Sequence, residues 1–339
     1  MKIAFIIYPA VIISNRSNGV RSQAEAWAEI LRQEGNTVDL VSNWEDYEWK
    51  SYDVIHLFGA FGGWLYNVVN RLSKLNQNLV ISPIIDPVVT KTTYFRSSLF
   101  RATEKYTKGV FRWGPYDFVR SSKYFKIIFT RSQFESEYIS RAYGIPKSKL
   151  RVVPLSYSTT CQPYTPIEKE NFCLHISSIY QDRKNVVNLI RAAKKYKFHL
   201  VLAGNKGSDV QYKPIKEAIG DATNIDVLGF ISEEKKIDLY KRAKVFALPS
   251  KSEGVGIVAV DAAYYGCEIV ITNIEGPKEY YNKQCIEVNP YSVDEIGSAV
   301  VNFMDGAISY QPNLSLIVKE NFSMREIGQK LMSCYNSIS

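Results

Sequence analysis

The chain has 339 residues, 46% of them hydrophobic and 22% charged, with a formal net charge of +8. That length supports two domains with real cores, and the composition excludes a disordered chain. No stretch reaches 18 apolar residues, which excludes a transmembrane helix. The positive balance points to an anionic partner: a phosphorylated ligand, an anionic membrane or nucleic acid.

The N-terminal MKIAFIIYPAVIIS is apolar but contains Pro9 and lacks a small-residue cleavage site, so Lys2–Ile7 reads as a first buried strand, not a signal peptide. A polar loop with Gly19 leads into a helix with Ala24, Trp27, Ala28 and Leu31 at helical spacing, stopped by Gly35. Thr37–Val41 and Asp53–Phe58 are the next strands. Gly59–Gly63 follows, then a helix over Trp64–Leu75 and a strand over Leu79–Ile85 ending at Asp86-Pro87. This alternation predicts a doubly wound parallel sheet, whose ligands bind at the carboxyl ends of strands. His56, Gly59–Gly63 and Asp86 belong to that edge. For His56 two readings stand, a hydrogen-bonded strand histidine or a direct role.

Lys91–Arg131 carries ten Lys and Arg against Glu104 and Asp117, with aromatics interleaved. At helical spacing Phe95, Leu99, Ala102, Tyr106 and Val110 share one face, and Arg101, Lys105, Lys108 and Arg112 the other. Such a helix either lies on an anionic membrane surface or packs its apolar face on the domain. Nucleic acid is disfavoured as its partner, because no binding module accompanies it. Ile127–Thr130 and Arg151–Pro154 are strands closing a first domain, residues 1–155. The polar stretch 156–171, with Pro163 and Pro166, reads as a linker.

The pattern then restarts. Phe172–Ser177, Phe198–Leu202, Ile225–Phe230 and Val245–Pro249 are strands, with a helix over Val186–Tyr196 and another capped by Ser232. This second domain runs over residues 172–320, and a C-terminal helix within 321–339 is placed back on the first domain. Five scattered cysteines (Cys161, Cys173, Cys267, Cys285 and Cys334) form no CxxC pair and read as reduced thiols of a cytosolic protein.

Three features of the second half carry chemistry. Arg183-Lys184-Asn185 stands where a strand passes into a helix, and two cations beside a helix N-terminus suit a diphosphate. The bland alternative is a basic surface turn. Glu253 precedes Gly254-Val255-Gly256, a loop slim enough for a ligand to approach the backbone. Asp261, eight positions on, sits in the apolar run GIVAVDAAYYG, where a carboxylate is costly unless it meets a partner or a ligand hydroxyl.

Pro249-Ser250, Glu253-Gly254-Val255-Gly256, Gly266 and Glu275-Gly276-Pro277, with the upstream SIYQDRKN, resemble the Glu-x7-Glu block of glycosyltransferase family 4, the retaining group 1 enzymes. The resemblance is strongest over Ser177–Glu279. It implies an α/β GT-B fold, two Rossmann-like doubly wound domains facing a central cleft, with the acceptor on the first domain and a nucleotide-diphosphate sugar on the second. It further implies that Arg183 and Lys184 hold the diphosphate and that Glu253, with the backbone of Gly254, Val255 and Gly256, holds the donor sugar. Asp261 takes the ribose position, and Gly19 lies near the donor. Asp261 replaces the family's second Glu, one methylene shorter. Where family members often place a His, this chain has Asp86, expected near the acceptor. Glu253, Lys184 and Asp86 are thus the expected catalytic residues.

The chain contains no Asp-x-Asp, so neither a metal nor any other cofactor is expected. The resemblance implies transfer with retention. The expected acceptor is a glycan or lipid-linked glycan of surface polysaccharide assembly, and the expected location is cytoplasmic, peripheral on the inner membrane face through residues 91–131. Two alternatives stay open: a sugar-nucleotide epimerase of the same fold, and a non-catalytic accessory protein. A nucleotide-cofactor oxidoreductase is excluded, because YPAVIISNRSNG supplies no Gly-x-Gly-x-x-Gly.

Overall fold

A computed structural model describes residues 1–7, 19–42, 44–60, 63–87, 89–107, 114–158, 161, 163 and 165–339, without the side chains of 104, 105, 107 and 275. The chain forms two units, Met1–Leu155 with Met324–Ser339, and Ser156–Ser323.

In the first unit the elements are β1 (Lys2–Ile7), α1 (Gly19–Gln33), β2 (Thr37–Leu40), β3 (Val54–Phe58), α2 (Leu65–Leu72), β4 (Leu79–Ser82), α3 (Thr93–Thr107), α4 (Tyr116–Ser121), β5 (Ile127–Thr130), α5 (Gln133–Tyr143) and β6 (Leu150–Val152). The strands are parallel in the order β2-β1-β3-β4-β5-β6. β3, β4 and β5 are buried at every position, as strands covered on both faces must be. One core lies around Ile55, Leu57, Leu65, Val69 and Ile128, and another around Trp27, Phe58, Phe129 and Tyr335.

The second unit repeats the scheme with β7 (Glu170–Ile176), α6 (Val186–Tyr196), β8 (Leu200–Ala203), α7 (Asp209–Ile219), β9 (Ile225–Gly229), α8 (Glu233–Arg242), β10 (Ala243–Leu248), α9 (Ile257–Tyr264), β11 (Glu268–Thr272), α10 (Glu275–Lys278), β12 (Ile286–Val288), α11 (Val293–Met304) and α12 (Asn313–Asn321). Its sheet is also parallel, in the order β12-β11-β10-β7-β8-β9. Ser232 caps α8 as its sequence predicts, accepting from the Lys235 N–H. A last helix, α13 (Met324–Asn336), belongs to the first unit.

Three local readings differ from the sequence. β4 stops at Ser82, because Ile84 turns to φ +54° and the Ile85 backbone is taken by Glu135 and Arg131. The stretch 156–171 belongs to the second unit: Tyr157 N–H bonds the Phe322 carbonyl, and Glu170 already starts β7.

The third is in α3, where of the two readings the one that packs its apolar face on the domain does not hold, and Arg101 leaves the basic face. Arg101 points inward and donates to the carbonyls of Arg141 and Ala142, groups that the end of α5 leaves open. Gly144 makes room for it, since a Cβ there would stand 3.0 Å from Arg101 Nη1. Phe95, Leu99 and Tyr106 are left 73%, 55% and 83% exposed. Lys108, Val110 and Arg112, and the Lys105 side chain, lie outside the described residues.

Candidate active site

After β7 the chain makes one tight turn over Asp182–Lys184 and enters α6 through Asn185, held at φ +60°. The buried Asn185 amide fixes this turn by donating to the carbonyls of Pro249, at 2.9 Å, and Pro290, at 2.5 Å. Lys251 N–H bonds the Arg183 carbonyl at 2.8 Å. These bonds carry Arg183 and Lys184 to the carboxyl end of β10, beside Ser250 and Glu253.

There the Lys184 ammonium pairs with Glu253 Oε2, both side chains about nine-tenths buried. Ser250 Oγ donates to the same oxygen at 3.2 Å, and Arg183 Nη1 stands 3.9 Å from Oε1. Gly256 begins α9 at φ +72°; a Cβ there would meet Leu248 Cδ2 at 2.8 Å, so glycine is required twice over. A Cβ at Gly256 would also lie 3.4 Å from Glu253 Cγ, so the start of α9 and two cations meet at one carboxylate, the parts of a candidate anion site.

Asp261 lies further along α9. It is 3% exposed, and its Oδ1 accepts from Ser158 N–H at 2.7 Å and from Cys161 Sγ at 3.7 Å. Burial pushes its carboxyl from 3.8 up to about 6, against the lowering effect of the Ser158 N–H and Lys236. Tyr281 and Tyr240 are buried nearby, their hydroxyls without partners among the described residues; burial pushes up the ionisation of both, with the Asp261 charge next for Tyr240 and the Cys285 thiol next for Tyr281.

Sequence reasoning missed Ser250, Tyr281 and a further pair. His175 is fully buried, with Nδ1 2.7 Å from the Ala247 carbonyl and Nε2 2.7 Å from Ser177 Oγ. A carbonyl only accepts, so Nδ1 carries the proton and Ser177 donates to Nε2. Burial lowers the His175 pKa to about 4, so the ring is neutral near pH 7. Only the strand register, placing both residues at the end of β7, could have signalled this pair.

The other expected residues are in the first unit. Asp86 is half-exposed four residues past the end of β4, and its Oδ1 takes Arg131 Nη2 at 2.9 Å. Arg131 in turn holds Glu135 and the Ile85 carbonyl. The expected catalytic carboxylate is therefore half of an ion pair. His56 is the hydrogen-bonded strand histidine: Nδ1 lies 2.6 Å from the Tyr335 hydroxyl, Nε2 2.9 Å from Ser82 Oγ, and burial holds its pKa well below 6.5. It fastens α13. Gly19 opens α1, and a Cβ there would meet nothing within 4 Å, so packing does not demand a glycine.

Two parallel six-stranded sheets with their helices are the GT-B fold, and an anion site at a strand end beside a helix N-terminus is where that fold holds ligands. Residues 161–311, within the second unit, match the family described as "Glycosyl transferases group 1". The O-antigen chain mannosyltransferase B of Escherichia coli is 24% identical over 229 residues, covering 62% of this chain. The match spans 60% of that relative's length, less than two thirds. Among solved structures, HepE of Anabaena in complex with UDP and glucose aligns with a TM-score of 0.71 at 16% identity, covering 99% of this chain and 100% of that one. The apo lipopolysaccharide outer core galactosyltransferase WaaB aligns at 0.66 and 16%, covering 99% of both chains.

Proposed function

We propose that the protein transfers a sugar from a nucleotide-diphosphate donor to a glycan or lipid-linked glycan acceptor, with retention at the anomeric carbon and without a metal. The observation that carries this reading is the Lys184–Glu253 pair, with Arg183 alongside, at the N-terminus of α9. A diphosphate entering the corner competes for Lys184 and Arg183 and frees the Glu253 carboxylate for donor sugar hydroxyls. Asp261 Oδ1 is already engaged, which leaves its other oxygen for the ribose. In the transfer step the acceptor oxygen bonds to the anomeric carbon as the bond from that carbon to the diphosphate breaks. The electron pair stays on the diphosphate, which also receives the acceptor proton. Arg183, Lys184 and the α9 amides stabilise the charge that develops there, the largest single term in such reactions.

The first unit takes the acceptor in this proposal. A mannosyltransferase of O-antigen chains among the relatives favours a surface-polysaccharide acceptor. Phe95, Leu99 and Tyr106 on α3, exposed beside Lys91 and Arg96, suit the anionic inner face of a membrane that carries such an acceptor. Among the described residues no helix is long and apolar enough to cross one. The test is a thermal-shift panel of UDP, GDP, ADP and their sugars, with and without magnesium. One nucleotide should raise the melting temperature by mass action, equally without magnesium. No response to any nucleotide sinks the proposal, and a response that needs magnesium sinks its metal-free part.

A further inference from the structure

A cavity lies in the first unit. It has a volume of about 210 Å³ at the carboxyl ends of β1 and β2, under the first turns of α1. Phe5, Ile7 and Leu40 form an apolar floor. Arg21 and Glu25 stand on its wall as an ion pair of 2.7 Å, both side chains nearly half exposed. Trp44 lines the mouth and is 95% exposed. Its indole has no ring or cation partner among the described residues.

These parts select a ligand chemistry. An indole left wholly in water is a large apolar face without a protein partner, and it favours a flat apolar surface laid on it. A paired guanidinium and carboxylate, reachable from solvent, can donate to and accept from neighbouring hydroxyls at once. An alkyl chain has no use for that pair, and a phosphate is repelled by Glu25. A pyranose meets both demands, with one C–H face for Trp44 and a rim of hydroxyls for Arg21 and Glu25. The volume is about seven times a water's share of about 30 Å³, which suits one ring and not a run of them.

We propose that this cavity binds a single pyranose ring of the acceptor glycan, stacked on Trp44 and hydrogen-bonded by Arg21 and Glu25. The identification of that ring with the acceptor rests on the transferase reading, and the binding chemistry does not. The full chain is titrated with the methyl α-glycosides of mannose, galactose, glucose and N-acetylglucosamine, following tryptophan emission and saturation-transfer NMR. At least one should bind saturably. Trp44→Ala should abolish the binding, and Glu25→Gln should weaken it about tenfold, the value of one hydrogen bond to a charged group. Both variants should keep the wild-type circular dichroism, which separates a lost binding site from a lost fold. Absence of binding by all four glycosides, or binding that survives Trp44→Ala, overturns the proposal. Glycoside binding in a protein that answers to no nucleotide leaves the pyranose site standing and removes the transferase reading instead.

Discussion

Replacing Asp261 by Asn should make the protein more stable and a worse binder of its donor. The carboxyl titrates at about 6 in the folded chain against 3.8 for an ordinary Asp, because burial disfavours the charged form. Between those values the folded state binds more protons than the unfolded one, so stability falls as pH rises from about 4 to about 6 and then levels. The difference of about 2.2, at about 1.4 kcal/mol each, amounts to about 3 kcal/mol lost by neutral pH. An Asn carbonyl still accepts from Ser158 N–H and cannot ionise. Asp261→Asn should therefore gain up to about 3 kcal/mol at pH 7, a rise in melting temperature of roughly 6–12 °C for a unit of this size. Near pH 4 the two proteins should melt together. Calorimetric scans of both from pH 4 to 8 decide it. A wild-type profile without that slope, or a variant less stable than wild type at pH 7, refutes the reasoning.

Lys184→Ala and Glu253→Ala should each abolish sugar transfer while circular dichroism stays that of a folded chain; full activity in either removes that residue from the mechanism. Tyr281→Phe should raise stability by about 1 kcal/mol in a denaturant titration, because its hydroxyl is buried without a partner. Tyr335→Phe should cost about 1–3 kcal/mol in the same titration by stripping a buried bond from His56, and a neutral result would show that α13 is held by apolar contact alone. Phe95→Ser with Leu99→Ser should lower binding to vesicles containing anionic lipid, read by co-sedimentation, and unchanged binding removes α3 from the membrane surface. Arg101 is unsuitable for that test, because it holds the end of α5.

The second half was legible because one block packs several local rules together. A strand end, a glycine that must have positive φ, a helix start and a basic turn each leave a residue signature, and Arg183, Lys184, Glu253 and Gly256 do converge. Strands were legible too, since β3, β4 and β5 are short, mostly apolar runs with one polar residue each. Long-range polar pairing was not. Nothing near Asp86 in sequence announces Arg131, nor does anything near Asp261 announce Ser158. The place of Arg101 on α3 was not legible either, because periodicity put it on the outward basic face. Two open carbonyls at the end of α5 drew Arg101 inward instead. His56 was ambiguous for a related reason, as its partner Tyr335 is 279 residues away.

The two carboxylates of the block are kept in opposite ways, and the contrast bears on why Asp261 is there at all. Glu253 is matched by Lys184, by Ser250 and by Arg183 at longer range, so its charge is compensated before any ligand arrives. Asp261 receives one backbone N–H and one weak thiol donor, which do not offset its burial. A purely structural acceptor for Ser158 N–H would be better served by Asn, which bears the same carbonyl without the charge. The extra capacity that only a carboxylate has is a second accepting oxygen. A ligand presenting two adjacent hydroxyls uses that oxygen, recovering on binding part of the roughly 3 kcal/mol that the empty fold forgoes. A strained, under-compensated charge inside an otherwise apolar helix is thus better evidence for a diol-bearing ligand than the satisfied Glu253 is, and it is the residue at which stability and function should pull apart.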